Sequence, residues 1–259
     1  MCIYISSIKG DDIVRYLMTF SYDGTNYKGY QKQPRGKTIQ AEVEKVLGKV
    51  NGEKKVEIHA SGRTDAHVHA LNQKAHFDLP DRIDCDKLKH SMNSLLPGDI
   101  YVKEIVPVPD TFHARYHVKA KEYIYRMNLG EYDPIERNYV FQYNKRLDVV
   151  EMERALKYLE GEHDFKSFTK ADDEYEDYVR RIVQTSIVRD SKNVNKITIS
   201  FLGTGFLRYM VRNIVGTLIE IGEGKKKSED IIAILDAKDR REAGFTANPE
   251  GLYLKDVFY

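Results

Sequence analysis

The chain has 259 residues, 41% hydrophobic and 31% charged, a composition that reads as soluble and globular, and no apolar run approaches the ~20 residues that cross a bilayer. Its 41 basic and 40 acidic residues leave a formal net charge of +1, which excludes a globally basic nucleic-acid binder and demands a local patch from any such surface. Two cysteines, Cys2 and Cys85, are too few for a disulfide framework, and the opening MCIYISSIKGDD lacks the basic start and apolar middle of a signal peptide, so a reducing cytoplasm is expected.

The elements follow in chain order. Residues 15–22, RYLMTFSY, alternate as a strand. DGTNYKG is turn chemistry. Thr38 stands where it can cap a helix that aligns Ile39, Val43, Val46, Leu47 and Val50 on one face. KKVEIHA (54–60) and LNQKAHFDL (71–79) read as strands on either side of ASGRTDAHVHA. Leu88, Met92, Leu95 and Leu96 mark a second amphipathic helix that ends at PGD, and IYVKEIVPV (100–108) is a strand. The second half resembles that order. AKEYIYRMNL (120–129) is a strand, and Asp148 with Glu151 opens a helix in the manner of a capping box. VRRIVQTSIVRD (179–190) and KITISFLG (196–203) are strands around the turn SKNVN. FLRYMVRNIVGTLIEIG (206–222) predicts a long helix, SEDIIAILDA (228–237) a second one capped by Ser228, and GLYLKDVFY (251–259) a closing strand. The expected class is α+β: two duplicated units, each an antiparallel sheet with helices on one face. The acidic stretch 171–177, ADDEYED, reads as a solvated loop.

Asp65 is the candidate for chemistry, and spacing alone leaves it three readings. It can be a catalytic carboxylate, a metal ligand or a turn residue. A working carboxylate must be held and partly desolvated, with a cation nearby. Arg63 is close in sequence, and Arg212 sits inside the most apolar helix, where it lies on the outer face or is aimed at a buried acid. In extended chain His67 and His69 point the same way, and with His76 and Asp65 they form a possible nitrogen and oxygen ligand set. No second cluster with ligand spacing accompanies them. RYHVKAKEYIYR (115–126) interleaves Arg115, Lys119, Lys121 and Arg126 with Tyr116, Tyr123 and Tyr125. That pattern suits RNA, with cations on phosphates and rings on unpaired bases, and equally suits an edge strand protected by charge.

GRTDAHVHA (62–70) resembles the active-site signature of the tRNA pseudouridine synthase A family, usually written GRTDAGVHA. FSYDGTNYKGYQKQ, FHARYHVKAKEYIYR, GEHDFKSF, GTGFLRYMVRNIVGTLIEIG and GLYLKDVFY resemble further family segments, in the family's order, from about residue 15 to the end. Two positions depart: His67 stands where glycine is usual, and Tyr30 where tryptophan is usual. The resemblance implies the pseudouridine synthase fold, with two α+β lobes and a central RNA-binding cleft. Residues 1–107 would form the lobe with the catalytic loop, and residues 108–259 the lobe with the substrate tyrosine and the arginine helix. It implies isomerisation of uridine to pseudouridine at tRNA positions 38, 39 and 40, in the anticodon arm, by a homodimer that needs no cofactor or metal. Asp65 would be the essential carboxylate. Arg63 would help displace the target base, Tyr123 would pack on the flipped uracil, and Arg212 would pair with Asp65. The alternatives are a family member with another RNA target, raised by His67, a metal-dependent hydrolase built on Asp65, His67 and His69, and a catalytically silent RNA-binding module.

Overall fold

Alternate burial sets the first strand, β1 (Ile13–Tyr22), in which Tyr16, Met18, Phe20 and Tyr22 all turn into the core. The computed structural model describes residues 13–80, 84–170 and 175–259. Cys2, the opening segment and the first part of the acidic stretch lie outside the described residues. Among the described residues no helix is long and apolar enough to cross a membrane.

Further strands are β2 (His59–Ala60), β3 (His69–Pro80), β4 (Ile100–Val108), β5 (Ala120–Asn128), β6 (Phe141–Gln142), β7 (Gly161–Asp164), β8 (Val179–Arg189), β9 (Lys196–Gly203) and β10 (Leu252–Phe258). They form one sheet with the main order β4-β1-β3-β10-β5-β9-β8-β7; β2 pairs with β3, and β6 with β5. Residues before 108 thus supply one side of the sheet, and residues after it the other. Each side's main path is antiparallel, and the two join where β10 runs parallel to β3. A row of directly paired residues crosses this junction: Ile100, Tyr22, Ala70, Leu254, Tyr123, Phe201 and Thr185. Opposed residues project from the same face, and every member of the row is buried.

The helices are α1 (Ile39–Val50), α2 (Cys85–Leu95), α3 (Val149–Lys157), α4 (Met210–Gly222) and α5 (Asp230–Ala237). Several ends differ from the sequence expectation. Thr38 makes no side-chain cap, and its buried hydroxyl has no hydrogen-bond partner among the described residues. Ser228 donates to Glu229 instead of capping, and α5 begins at Asp230. Asp148 does cap α3, accepting from Val150 N and Glu151 N. Its own N–H goes to the Gly222 carbonyl, so Glu151 does not close the box. The strand expected over 54–60 shrinks to β2. Val56 and Ile58 are buried, but the backbone of Ile58 is served by α1: its N–H donates to Glu44 Oε1 at 3.2 Å. The helix expected from 206 begins only at 210, because Tyr209 adopts φ +63°.

α4 meets segment 244–247 backbone to backbone. A Cβ on Gly216 would lie 1.7 Å from the Phe245 carbonyl oxygen. Ala247 N donates to the Arg212 carbonyl at 3.0 Å, and Gly244 N to Thr217 Oγ1 at 2.8 Å. At the other side of the sheet, His59 stacks on His76 at 4.9 Å, and His76 meets His113 edge-on at 4.6 Å. His76 Nδ1 accepts from Ala114 N at 3.1 Å, which ties segment 112–117 to β3. Burial first, then the charges His113 and His59 would carry, pushes His76 down to about 4.

Two predictions follow from this packing. Gly→Ala in an ordinary helix interior stabilises by up to about 1 kcal/mol. Gly216→Ala should instead destabilise by roughly 1–3 kcal/mol in denaturant titration, because the new methyl overlaps backbone that has no room to retreat. His76 is neutral in the folded chain over a range in which the unfolded chain protonates it, so its contribution is complete above pH 6.5 and is lost as pH falls from 6.5 toward 4. Between pH 7 and pH 5, His76→Asn should lose less stability than the parent, by about 1–2 kcal/mol. Parallel pH dependences would assign the loss to other groups.

Candidate active site

Asp65 lies on the loop joining β2 to β3. The turn 23–30, rich in glycine and small polar residues, grips that loop. Tyr30 N donates to the Thr64 carbonyl at 3.1 Å, and His67 N to the Tyr27 carbonyl at 3.3 Å. Thr64 Oγ1 and the Tyr22 hydroxyl share a hydrogen bond of 2.8 Å. Gln73 Nε2 donates to the Gly62 carbonyl at 3.0 Å, and Ser61 Oγ to Gln73 Oε1 at 2.7 Å. Two glycines permit this approach. A Cβ on Gly24 would lie 2.1 Å from the Val68 carbonyl oxygen, and Gly29, at φ +104°, packs against Thr64 and Asp65 backbone.

The backbone at His67 does require a left-handed conformation, φ +65°. For an L residue that costs about 1–2 kcal/mol, partly offset by the 2.7 Å hydrogen bond from His67 Nδ1–H to the Thr25 carbonyl. Tyr30 is buried, and its hydroxyl has no hydrogen-bond partner among the described residues. Burial pushes that phenol well above its usual range, with smaller contributions from Tyr22 and Glu44.

Arg212 reaches the loop from the first turn of α4. Its Nη1 lies 3.3 Å from Asp65 Oδ2, with the two side chains 13% and 21% exposed. Nε donates to the Ala247 carbonyl at 2.7 Å, and the guanidinium carbon lies 4.9 Å from the centroid of Tyr209. Of the two positions open to Arg212 in the sequence, the structure takes the one aimed at the acid. The left-handed Tyr209 delays the start of α4, so residues 206–209 run along the site as loop. Strain of that kind is a common mark of functional sites.

Asp65 and Arg212 open into a cleft of about 1000 Å³. Tyr123, centrally placed in the buried cross-sheet row, lines it, with its ring 5.0 Å edge-on from Phe206. Burial, then the charges of Tyr22 and Asp65, pushes the Tyr123 phenol well above the usual range. Arg63 is exposed at the same cleft. Among the described residues seven cations line it, namely Lys28, Arg63, Arg115, Lys121, Arg180, Arg208 and Arg212, against one carboxylate, Asp65. This is the local basic surface that the net charge of +1 conceals. Lys121 donates to the Ser61 carbonyl at 2.7 Å, and burial, followed by the charge of Arg115, brings it down to about 8.

The histidines that suggested a metal set are separated. His67 is held by Thr25. His69 Nδ1 accepts from Gly24 N at 3.1 Å, and its Nε2–H donates to the Asn138 carbonyl at 2.9 Å. His76 serves Ala114. Among the described residues no group of three or more such side chains is placed to hold a metal ion. The extended-chain argument failed because His67 occupies a left-handed turn, which breaks the alternation. Four supports were missed in the sequence: Gly24, Gly29, Tyr209 and Ala247. The two glycines of DGTNYKG were a visible signal; Ala247 left none, since it acts through its backbone.

The tRNA pseudouridine synthase family profile matches residues 18–117 and 155–259. The tRNA pseudouridine synthase A of an Exiguobacterium species is 46% identical over 245 residues, covering 95% of this chain and 98% of that protein. Its counterpart in Anoxybacillus flavithermus is 44% identical over the same length and shares. That of Caldicellulosiruptor bescii is 45% identical over 244 residues, 94% of this chain and 98% of its own. With a clamped acid, a paired arginine and a basic cleft in place, and with likeness running over nearly the whole sequence, the chain belongs to the tRNA pseudouridine synthase family.

Proposed function

We propose that this enzyme converts uridine to pseudouridine at positions 38, 39 and 40 of the tRNA anticodon stem-loop, with Asp65 as the reacting carboxylate. The observation that carries the reading is the Asp65–Arg212 pair, set on a clamped loop in a cleft where, among the described residues, Asp65 is the one acid beside seven cations. The reaction breaks the bond from N1 to C1′, turns the base and forms a bond from C5 to C1′. C5 loses a hydrogen and N1 gains one. A charged carboxylate can act on the nucleotide as nucleophile or base; an amide can do neither.

The target base must leave its stack, at a cost of a few kcal/mol. The ring of Tyr123 offers a platform that recovers roughly 1–3 kcal/mol. Its phenol is held protonated by burial, so it takes the C5 proton only as it passes its own to the Asp65 carboxylate, whose charge bears on it. Arg63, exposed in the lining of the cleft, fills the space the base vacates. Arg212 orients Asp65 and is itself fixed by the Ala247 carbonyl. The RNA backbone lies along the remaining cations. A homodimer joins two such basic surfaces and lengthens the grip on tRNA, with the cytoplasm as the working compartment.

Three measurements on Asp65→Asn test the reading. Tritium release from C5-labelled tRNA should fall below detection, while tRNA affinity holds or rises slightly, because affinity is spread over many phosphate contacts. Unfolding free energy should drop by roughly 1–3 kcal/mol, since Arg212 keeps the Ala247 carbonyl but faces a weaker partner. A folded variant that releases tritium at the parent rate would place the chemistry on another acid. Tyr123→Phe should bind tRNA normally and turn over roughly 10²-fold more slowly; an unchanged rate would leave the ring as its only contribution. Light scattering should give twice the chain mass.

A further inference from the structure

Beside the Asp65 pocket the cleft carries an exposed ring that the isomerisation does not use. Tyr116 is 75% exposed, yet its position is fixed. It stacks on His113 at 4.3 Å and an interplanar angle of 30°. His113 packs in turn on His76 and His59, so the ring ends a ladder rooted in the sheet. The backbone beneath is equally constrained. Arg115 N donates to His113 Nδ1 at 3.1 Å, Ala114 N to His76 Nδ1 at 3.1 Å, and His117 N to the His113 carbonyl at 3.1 Å. A large ring held rigid in water, with one face on an imidazole, is apolar surface exposed at no further loss of conformational freedom.

Tyr116 and Arg115 line the same cleft as Asp65 and Tyr123. β2 links the two places: His59 lies at the foot of the ladder, and Asp65 follows six residues later. We propose that Tyr116 is the stacking platform of a second nucleotide subsite, which takes an unpaired base of the anticodon loop near the flipped uridine while Arg115 takes the adjoining phosphate. This rests on the tRNA reading of the cleft. Ring and cation side by side match the two chemical parts of a single-stranded nucleotide. The basic lining of the cleft favours an RNA over a protein segment as occupant. A platform for one unpaired base would let the enzyme select a loop, where bases are free, over a continuous duplex.

The test is a double-mutant cycle between protein and RNA. Anticodon stem-loop RNAs with a single abasic site, moved through each unpaired position, are bound to the parent and to Tyr116→Ala, with Tyr116→Phe as a control. At one loop position the abasic RNA should bind the parent about tenfold or more weakly, and removing the ring should weaken it no further. Tyr116→Phe should behave as the parent. Additive losses at every position would overturn the subsite, as would a Tyr116→Ala protein whose weakened binding tracks loss of the dimer in light scattering. Parent protein that binds the intact RNA but releases no C5 tritium would sink the proposed function and leave the subsite standing. Parent protein that does not bind the RNA at all would sink both.

Discussion

The ion pair between Asp65 and Arg212 joins residues 147 positions apart in sequence, and most of the structure around the cleft bears on it. Asp65 is placed by backbone hydrogen bonds from the turn 23–30, Arg212 by the Ala247 carbonyl and by the start of α4. Both placements depend on backbones that approach more closely than a side chain would permit, at Gly24 and Gly29 for the acid and at Gly216 for the arginine helix. The parallel pairing of β10 with β3 holds the two sides of the sheet in one frame, so a displacement of either loop would separate the charges.

Burial acts on the other ionisable groups near the cleft in one direction, toward the neutral form. It raises the Tyr123 and Tyr30 phenols, lowers Lys121 to about 8, and lowers His69 and His76. The charged groups that remain are mostly arginines, facing one carboxylate among the described residues. The balance of 41 bases to 40 acids over the chain hides this local excess.

Much of the fold was legible as periodicity. The strands 100–108 and 196–203 match residue for residue, since alternation is a local property of the chain. The ends of elements were less legible. Thr38 and Ser228 look like caps and are not, whereas Asp148 is one. Whether a hydroxyl meets the free N–H groups of a helix depends on how the preceding chain arrives, which short-range pattern does not encode. The stretch 54–60 alternates like a strand, but a side chain of α1 takes the hydrogen bond that a neighbouring strand would have taken.

The sequence by itself determined the family, the α+β class and the identity of the candidate acid, because a signature such as GRTDAHVHA and its companion segments are strings of residues that need no coordinates to be recognised. It also marked Arg212 as anomalous, a cation in an apolar helix. Only the tertiary structure decided where that cation points, that His67 breaks the alternation on which a metal set with His69 depended, and that seven scattered cations converge on one cleft. These are consequences of long-range packing: Arg212 meets Asp65 across 147 positions and His67 is held by Thr25 across 42, and side-chain periodicity carries no information beyond its own element.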